Sequence, residues 1–505
     1  MRLEHGDVAL KGDEGAAPAT GAGPGRVHRI ALQRVTSANE PVGFPEPPLA
    51  LLGAATGIRE HRGLWRGAPP QLQLADDALA SPRPDDATAQ TLAFDPGAVV
   101  LGAESIAGPG SRAEGRRPTE TGPWLDRLAD VGRRVGGSGQ TRPARIAWID
   151  EVPEAAAALL RDGAADVVVR GEADEILPAL VQGVLRGRSD WRGERGVSWL
   201  EDGEVRHERQ GATPMRLATP AWDLVDLECY SQKLAKGGFA SRLINRLPSN
   251  LQQRLRGSGV RGREATIYTT RSCSADCPTC HGSFGSHGRE RPVGEVIYEI
   301  RELVQKHRIR HLRIGDAAFD GNPARAEAIA AAIAKLRSAP GFGYLSLSFP
   351  RGLRGDGLTP GLIDALTRAG ATSLPLRVTT ASPRLQRLLK ENIDLGRVKT
   401  ALAQIAERGA RGHLLMRLGL PTETVGEVAH TIRWAKVSAA TTADFESGRN
   451  VNLGPAWTQD RAGDIDDFPS LRRRALTSFY SSPSRASRLA KSFPTSLAQA
   501  LQRRF

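Results

Sequence analysis

Two series of alternating short apolar strands and helices constrain the fold of this 505-residue chain more than any other feature. Apolar strand-length runs separated by helices are typical of parallel sheets that are covered on both faces. The first series therefore predicts an α/β domain with a parallel sheet. Its strands are expected at 27–35, 71–74, 98–101, 145–149 and 165–170, and its helices at 47–57, 124–135, 151–162 and 175–185.

The second series begins at Ala265 and predicts a full or partial (β/α) barrel, because its units repeat every roughly 30 residues. Functional sites of such barrels lie at the carboxyl ends of the strands. Strands are expected at 266–270, 311–314, 344–348, 374–378 and 412–418, and helices at 293–307, 323–338, 360–369, 395–408 and 425–439.

These patterns divide the chain into five parts. We expect a disordered leader at 1–26, followed by the sheet domain at 27–190. A linker with a small hairpin around Asp202-Gly203 is expected at 191–262. The barrel is expected at 263–445, and a mostly helical C-terminal extension at 446–505.

The composition favours a globular protein of the cytoplasm. Hydrophobic residues make up 40% and charged residues 25% of the chain. We find no apolar run long enough to cross a membrane, and the N-terminus lacks the pattern of a secretory signal. The net charge is +13, but only 5% of the residues are aromatic and no dense basic block carries interleaved aromatics, which disfavours a nucleic-acid partner.

Three of the four cysteines lie within eight residues, in Cys273-Ser-Ala-Asp-Cys277-Pro-Thr-Cys280, and Cys229 stands apart. Clustered thiolates indicate metal or redox chemistry rather than a disulfide scaffold. Three close cysteines can hold an iron–sulfur cubane and leave one iron without a protein ligand. Two alternatives are a dithiol redox motif at Cys277–Cys280 and a structural zinc site completed by His281 or His287.

The Cys-x3-Cys-x2-Cys loop resembles the signature of the radical S-adenosylmethionine (SAM) superfamily, and the resemblance extends over roughly residues 27–505. It implies a [4Fe–4S] cluster on Cys273, Cys277 and Cys280 whose open iron binds SAM. Reductive cleavage of SAM to a 5′-deoxyadenosyl radical would follow, with electrons from a donor such as flavodoxin or ferredoxin. One departure is Thr279, where the family usually has an aromatic residue.

The same resemblance implies further SAM-binding residues at the strand ends. Asp316 stands where relatives place a short acidic segment near the SAM amino group; a helix N-cap or a loop Asp is the alternative. Thr379 and Thr380 replace the Glu and Ser of a Gly-x-Glu-Ser segment, and Arg377 is a candidate partner of the SAM carboxylate. The turn from Gly419 through Pro421 to Thr424 resembles the family's Gly-Leu-Pro-Gly-Glu-Thr turn beside the SAM pocket.

The segment from Arg145 to Asp226 resembles the cobalamin (B12)-binding branch of the superfamily. Its markers are Gly163–Glu172 and Pro220–Asp226, and the earlier helix start Pro47-Pro48-Leu49 adds to the resemblance. The resemblance implies a Rossmann-like, B12-binding-type first domain that presents a corrin to the barrel. An Asp-x-His-x-x-Gly motif is absent, and Ile149-Asp150 replaces the usual Gly-Gly after the fourth strand.

The resulting hypothesis is a B12-type radical SAM enzyme that transfers a methyl group to an unactivated carbon of a small-molecule substrate. SAM would then serve both as methyl donor and as radical source. Two alternatives stay open. The first is a radical SAM rearrangement or cyclisation enzyme without cobalamin, and the second is a non-catalytic sensor that binds a corrin or a cluster.

Overall fold

A computed structural model of the chain describes residues 28–36, 47–61, 65, 69–79, 85–103, 122–137, 142–149, 153–170, 176–209, 217–230, 264–270, 290–448, 467–485 and 487–488. The expected leader and the three clustered cysteines lie outside these residues. None of the helices described is long and apolar enough to cross a membrane.

The first sheet has seven strands in the order β2-β1-β3-β4-β5-β6-β7. The pairs from β2 to β5 are parallel, and those from β5 to β7 are antiparallel. The strands are β1 (Arg29–Val35), β2 (Gln71–Asp76), β3 (Ala98–Ala103), β4 (Ala144–Ile149), β5 (Val167–Arg170), β6 (Val197–Glu201) and β7 (Glu204–His207).

Helices cover both faces of this sheet. Apolar side chains of α1 (Leu49–Glu60) and α5 (Ile176–Leu185) form a core on one face. Those of α3 (Gly122–Gly137) and α4 (Pro153–Arg161) form a core on the other, and α2 (Asp85–Ala93) packs beside β1 and β2. The predicted covered parallel sheet is confirmed.

Two elements of this domain differ from the expectation. The hairpin around Asp202-Gly203, expected in the linker, pairs with β5 and adds two strands to the sheet. Helix α2 was not predicted, because its sequence DDATAQTLA has only a weak apolar stripe. Tertiary packing against the sheet stabilises such a segment more than its own helix propensity does.

Within the described residues the barrel has six parallel strands in chain order, so the predicted partial (β/α) barrel is confirmed. The triplets β8-β9-β10 and β11-β12-β13 are linked by bridges from Leu347 to Ala371 and from Leu353 to Leu376. The strands are β8 (Glu264–Ile267), β9 (His311–Ile314), β10 (Ser346–Ser348), β11 (Ser373–Arg377), β12 (Arg411–Leu418) and β13 (Thr442–Ser447).

Seven α-helices accompany these strands in the part of the chain that the structure describes. They are α6 (Val293–Lys306), α7 (Pro323–Arg337), α8 (Pro360–Arg368), α9 (Pro383–Leu388), α10 (Leu395–Glu407), α11 (Val425–Val437) and α12 (Phe468–Tyr480). Helix α12, in the C-terminal extension that the sequence predicts to be mostly helical, packs on β13 and α11 through residues such as Phe479.

A buried polar contact joins the two domains, and we call it the domain link. Trp222 donates its indole N–H to Glu299 Oε1 over 2.8 Å, and Arg291 Nη1 lies 2.5 Å from Glu299 Oε2. Arg291 also donates to the Thr219 hydroxyl over 2.7 Å, and the Thr219 carbonyl accepts from Thr56 of α1 over 2.6 Å. The domain link therefore fixes α1 of the sheet domain against α6 of the barrel.

Candidate functional site

The cysteine segment begins and ends at the carboxyl end of β8. Thr270, which precedes it, bridges Glu290, which follows it. The Arg291 N–H donates to the Thr269 carbonyl over 3.0 Å. These contacts close the base of the segment, because they hold together the two described ends between which Cys273, Cys277 and Cys280 occur in the sequence. The three cysteines themselves lie outside the described residues. Among the residues that are described, no three acidic, His or Cys side chains group as a metal site.

Asp316, at the end of β9, holds this base in place. Its Oδ1 accepts from the Thr269 N–H over 2.7 Å, and its Oδ2 accepts from the Thr269 hydroxyl over 2.5 Å. Burial raises the pKa of Asp316 to about 6 despite these hydrogen bonds. Arg325 adds two contacts, to the carbonyls of Thr269 (2.6 Å) and Arg291 (2.8 Å). Asp316 thus has a positioning role whether or not it also contacts SAM, a contact that stays a prediction.

On β11–β13 the inner face of the barrel is mostly polar, although Pro375 and Leu415 share this face. Gly412 of β12 faces α10, because a Cβ at this position would lie 2.7 Å from Leu402 Cδ2. Side chains alternate along a strand, so the odd-numbered residues of β12 face the barrel interior. A packed barrel interior carries branched apolar side chains, whereas a polar one suits a ligand. By register, the interior receives Arg377 of β11, His413 and Arg417 of β12, and Thr442, Asp444 and Glu446 of β13.

The two adjacent threonines at the end of β11 have different surroundings. Thr379 donates its hydroxyl to Glu391 and lies on the interior side. Thr380 is fully buried, and its hydroxyl lies 3.1 Å from that of Thr431 on α11. Of the two threonines, only Thr379 therefore lies on the same side of the sheet as Arg377. Arg377 Nη2 donates to the Ala317 carbonyl over 3.3 Å.

Glu391 is a candidate site residue that sequence reasoning missed. It is 7% exposed, its Oε1 accepts from Thr379, and its Oε2 has no hydrogen-bond partner in the described structure. Burial raises the pKa of Glu391, and the positive charges of Arg377 and Arg417 oppose that rise. Its neighbours Lys390 and Asn392 adopt left-handed φ values of 50° and 45°, which non-glycine residues rarely adopt. No motif surrounds Glu391, so no signal in a single sequence would have found it.

The turn after β12 is held by a carboxylate of its own. Gly419 has φ 74°, and Glu423 Oε2 accepts from the N–H groups of Gly419 (2.7 Å) and Leu420 (3.0 Å). Helix α11 is capped separately, by a capping box between Thr424 and Glu427. Gly419 and Pro421 thus lie in a turn that Glu423 fixes, and their contact with SAM stays a prediction.

Glu423 should make stability fall as the pH rises. Burial raises its pKa from 4.5 to about 7, so between these values the unfolded chain releases a proton that the folded protein retains. Stability then decreases across this window, by at most ~3 kcal/mol at 1.36 kcal/mol per pKa unit. We expect Glu423→Gln to raise the midpoint of thermal unfolding at pH 8 but much less at pH 5.

Glu427→Gln is the matched control for this prediction. Arg384 lowers the pKa of Glu427 to about 2, so this carboxylate is charged throughout the same pH range. Its substitution should lower the unfolding midpoint at pH 5 and at pH 8 alike. An equal effect of Glu423→Gln at the two pH values would contradict the assignment of Glu423 as a buried carboxyl that titrates near neutrality.

The first sheet has the strand order of a cofactor-binding sheet. The order β2-β1-β3 reverses direction at β1, and ligands of such sheets bind beside this switch point. Polar side chains at the carboxyl edge of this sheet mostly bind one another. Arg34 forms a two-point ion pair with Asp76, with both N–O distances 2.7 Å, and the Tyr230 hydroxyl donates to Asp76 over 2.5 Å.

Two observations at this edge bear on a corrin. Gln33 donates to Asp77 Oδ1 over 3.0 Å, and the buried Asp77 Oδ2 forms an ion pair with Arg127 Nε over 3.5 Å but accepts no hydrogen bond within the described structure. Burial raises the pKa of Asp77 to about 6. Strand β4 ends at Ile149, which is 1% exposed, and Asp150 lies outside the described residues. The strand order therefore fits a bound cofactor, whereas the side chain of Ile149 adds no polar contact.

Residues 267–435 match the family model of the radical SAM superfamily. The matched range runs from the end of β8 to α11 and contains the cysteine segment, its closed base and the interior residues of β11 and β12, but not those of β13. The chain therefore carries a radical SAM domain over these residues.

The fold of most of the chain is similar to that of solved cobalamin-dependent radical SAM enzymes. TsrM, a radical SAM methyltransferase from Kitasatospora setae solved with cobalamin and a [4Fe–4S] cluster, superposes with a TM-score of 0.59 at 17% identity, over 84% of this chain and 72% of TsrM. A second TsrM structure, with its tryptophan substrate and a SAM analogue, gives 0.57 at 17% identity, over 83% and 73%.

OxsB, a cobalamin-dependent radical SAM enzyme solved with aqua-cobalamin and SAM, gives a TM-score of 0.58 at 13% identity. The match covers 91% of this chain and 56% of OxsB. At these identities the likeness shows a common fold, with a parallel sheet domain preceding the barrel. No curated protein matches the sequence.

Proposed function

We propose that this protein is a cobalamin-dependent radical SAM enzyme that methylates an unactivated carbon of a small molecule. The observation that supports it most is the base of the cysteine segment, closed at the mouth of a radical SAM barrel that the domain link holds against a sheet with a switch point. When bound, the cluster supplies the electron that cleaves SAM, and cobalamin supplies a carrier for the methyl group.

The residues of this chain would hold the reactants as follows. Cys273, Cys277 and Cys280 would bind the cluster. Thr379 and Arg377 would contact SAM from the end of β11, where the hydroxyl of Thr379 is already oriented by Glu391. Asp316 would hold the base of the cysteine segment and Gly419 and Pro421 would border the SAM pocket. A cytoplasmic flavodoxin or ferredoxin would supply the electrons.

The experiment that tests SAM cleavage is anaerobic reconstitution followed by reduction in the presence of SAM. We expect about four irons per chain and release of 5′-deoxyadenosine. A protein that carries the cluster but never releases 5′-deoxyadenosine would be a sensor rather than an enzyme. Zinc in place of iron would contradict the proposal altogether.

The cobalamin part is tested separately by corrin retention. The protein is mixed with hydroxocobalamin, passed through a desalting column, and read by its absorbance spectrum and cobalt content. We expect about one cobalt per chain. The opposite result has its own structural support. Arg34, Asp76 and Tyr230 at the edge of the first sheet form hydrogen bonds with one another, so these groups need no ligand as a partner. No retained cobalt, with 5′-deoxyadenosine still formed, would favour a rearrangement or cyclisation enzyme.

A further inference from the structure

A cavity of about 590 Å³ lies between helices α7 and α8 of the barrel. Its walls come from the last turns of the two helices and from the loop that leads into β10. Because each helix ends where the next strand begins, the cavity lies at the amino ends of the strands, whereas the cysteine segment follows the carboxyl end of β8. The volume is within the range of cavities that bind small molecules.

The cavity is lined by three cations. Lys335 and Arg337 lie in the last turn of α7, and Arg368 is the last residue of α8. None of the three forms an ion pair with a residue that the structure describes, and Asp364, one turn before Arg368, is already paired with Arg408. The other described lining residues are small and uncharged: Ala331, Ala334, Ser338 and Gly343.

Helix capping accounts for only one of these cations. Cations near helix C-termini often donate to the last carbonyls, and Arg337 does so, with Nη1 2.5 Å from the Arg368 carbonyl and Nη2 3.2 Å from the Gly343 carbonyl. Arg337 Nε is buried and has no hydrogen-bond partner within the described residues. The exposed side chains of Lys335 and Arg368 donate to no acceptor in the same part of the chain, so neither caps a helix through a hydrogen bond.

The charge of the cavity indicates the chemistry of its ligand. Like charges around one cavity repel one another, and a bound anion removes this repulsion. A phosphate monoester carries about two negative charges near pH 7 and has three acceptor oxygens, whereas a carboxylate carries one charge and has two oxygens. Three cations without an acidic neighbour in the described lining therefore favour a phosphate group over a carboxylate.

We propose that this cavity binds the phosphate group of a small molecule, with Lys335 and Arg368 in contact with the phosphate. The guanidinium group of Arg337, held by two carbonyls, adds its positive charge beside them. The cavity has room for an organic part next to the phosphate. Because the site lies at the end of the barrel opposite the cysteine segment, the inference does not rest on the proposed function.

The test is isothermal calorimetry of the full-length protein in a buffer without phosphate, at an ionic strength held constant with sodium chloride. Inorganic phosphate, glycerol 3-phosphate and glycerol are titrated separately. We expect both phosphates to bind saturably, glycerol 3-phosphate at least as tightly as the free ion, and glycerol not to bind. Absence of binding by both phosphates would overturn the inference. Binding of inorganic phosphate alone would overturn the assignment of a phosphate ester as the ligand.

Variants then locate the site. The double variant Lys335→Gln/Arg368→Gln should bind glycerol 3-phosphate at least about tenfold more weakly, because two charged contacts are lost. Both side chains are exposed, so its midpoint of thermal unfolding without phosphate should match that of the wild type. Lys436→Gln is the matched control, since it removes an exposed lysine from the last turn of α11, and it should bind as the wild type does. Unchanged binding by the double variant, or an equal loss in Lys436→Gln, would overturn the inference.

Discussion

The Cys277→Ala variant is expected to release no detectable 5′-deoxyadenosine when it is reduced in the presence of SAM. A cubane held by three thiolates cannot keep both its fourth iron open and its other irons ligated after one thiolate is lost. The cofactor performs the difficult step and the protein positions it, so loss of the cluster should remove the reaction rather than slow it. The measurement is chromatography of the products of an anaerobic assay.

Cys229→Ala is the matched control, because it removes the one cysteine outside the cluster motif. Cys229 is exposed, and its Sγ lies 3.6 Å from Asp226 Oδ2. The variant should form 5′-deoxyadenosine as the wild type does. Product from Cys277→Ala, or its loss in Cys229→Ala alone, would contradict the assignment of the cluster ligands.

The second large effect is expected in the domain link. Glu299 is 0% exposed, and burial raises its pKa even with Arg291 beside it. Arg291→Met would leave this carboxyl group buried with the Trp222 indole as its remaining side-chain partner from the link. Removing one partner of a buried pair costs ~3–5 kcal/mol, and we expect a loss of stability of this size in chemical unfolding followed by tryptophan fluorescence.

The double variant Arg291→Met/Glu299→Leu shows whether the loss of stability in Arg291→Met comes from an unpaired buried charge or from the change of side chain itself. Replacing both partners with apolar side chains is often neutral, because no charge is left buried. We therefore expect the double variant to recover most of the stability lost in Arg291→Met. If the two charges do not act as a pair, the second substitution should lower the free energy of unfolding further. A double variant that is clearly less stable than Arg291→Met would therefore contradict the assignment of a buried pair.

The sequence predicts the order of most strands and helices because each buried strand is a short apolar run and many helix ends carry local signals. Examples are Pro323 and Pro360, each in the first turn of its helix. Strand β13 was missed although Thr442–Ser447 alternates polar and apolar residues, because it contains Asp444 and Glu446, residue types that are uncommon in strands. These charges face the barrel interior, a location that only the register with β12 reveals.

The site was predictable where a motif carries it and not where distant segments meet. The cysteine segment and the Gly419 turn are continuous in sequence and could be recognised. The pairing of Thr379 with Glu391 depends on a strained turn, and the separation of Thr379 from Thr380 depends on the packing of α11. The domain link joins residues 77 positions apart, Trp222 and Glu299, and no local pattern indicates it.

Electron paramagnetic resonance of the reduced, anaerobically reconstituted protein tests the central claim most directly. We expect the signal of a reduced [4Fe–4S] cluster that changes when SAM is added, because SAM binds the iron that lacks a protein thiolate. A protein without any iron–sulfur signal after reconstitution, or with a signal that SAM leaves unchanged, would contradict the account.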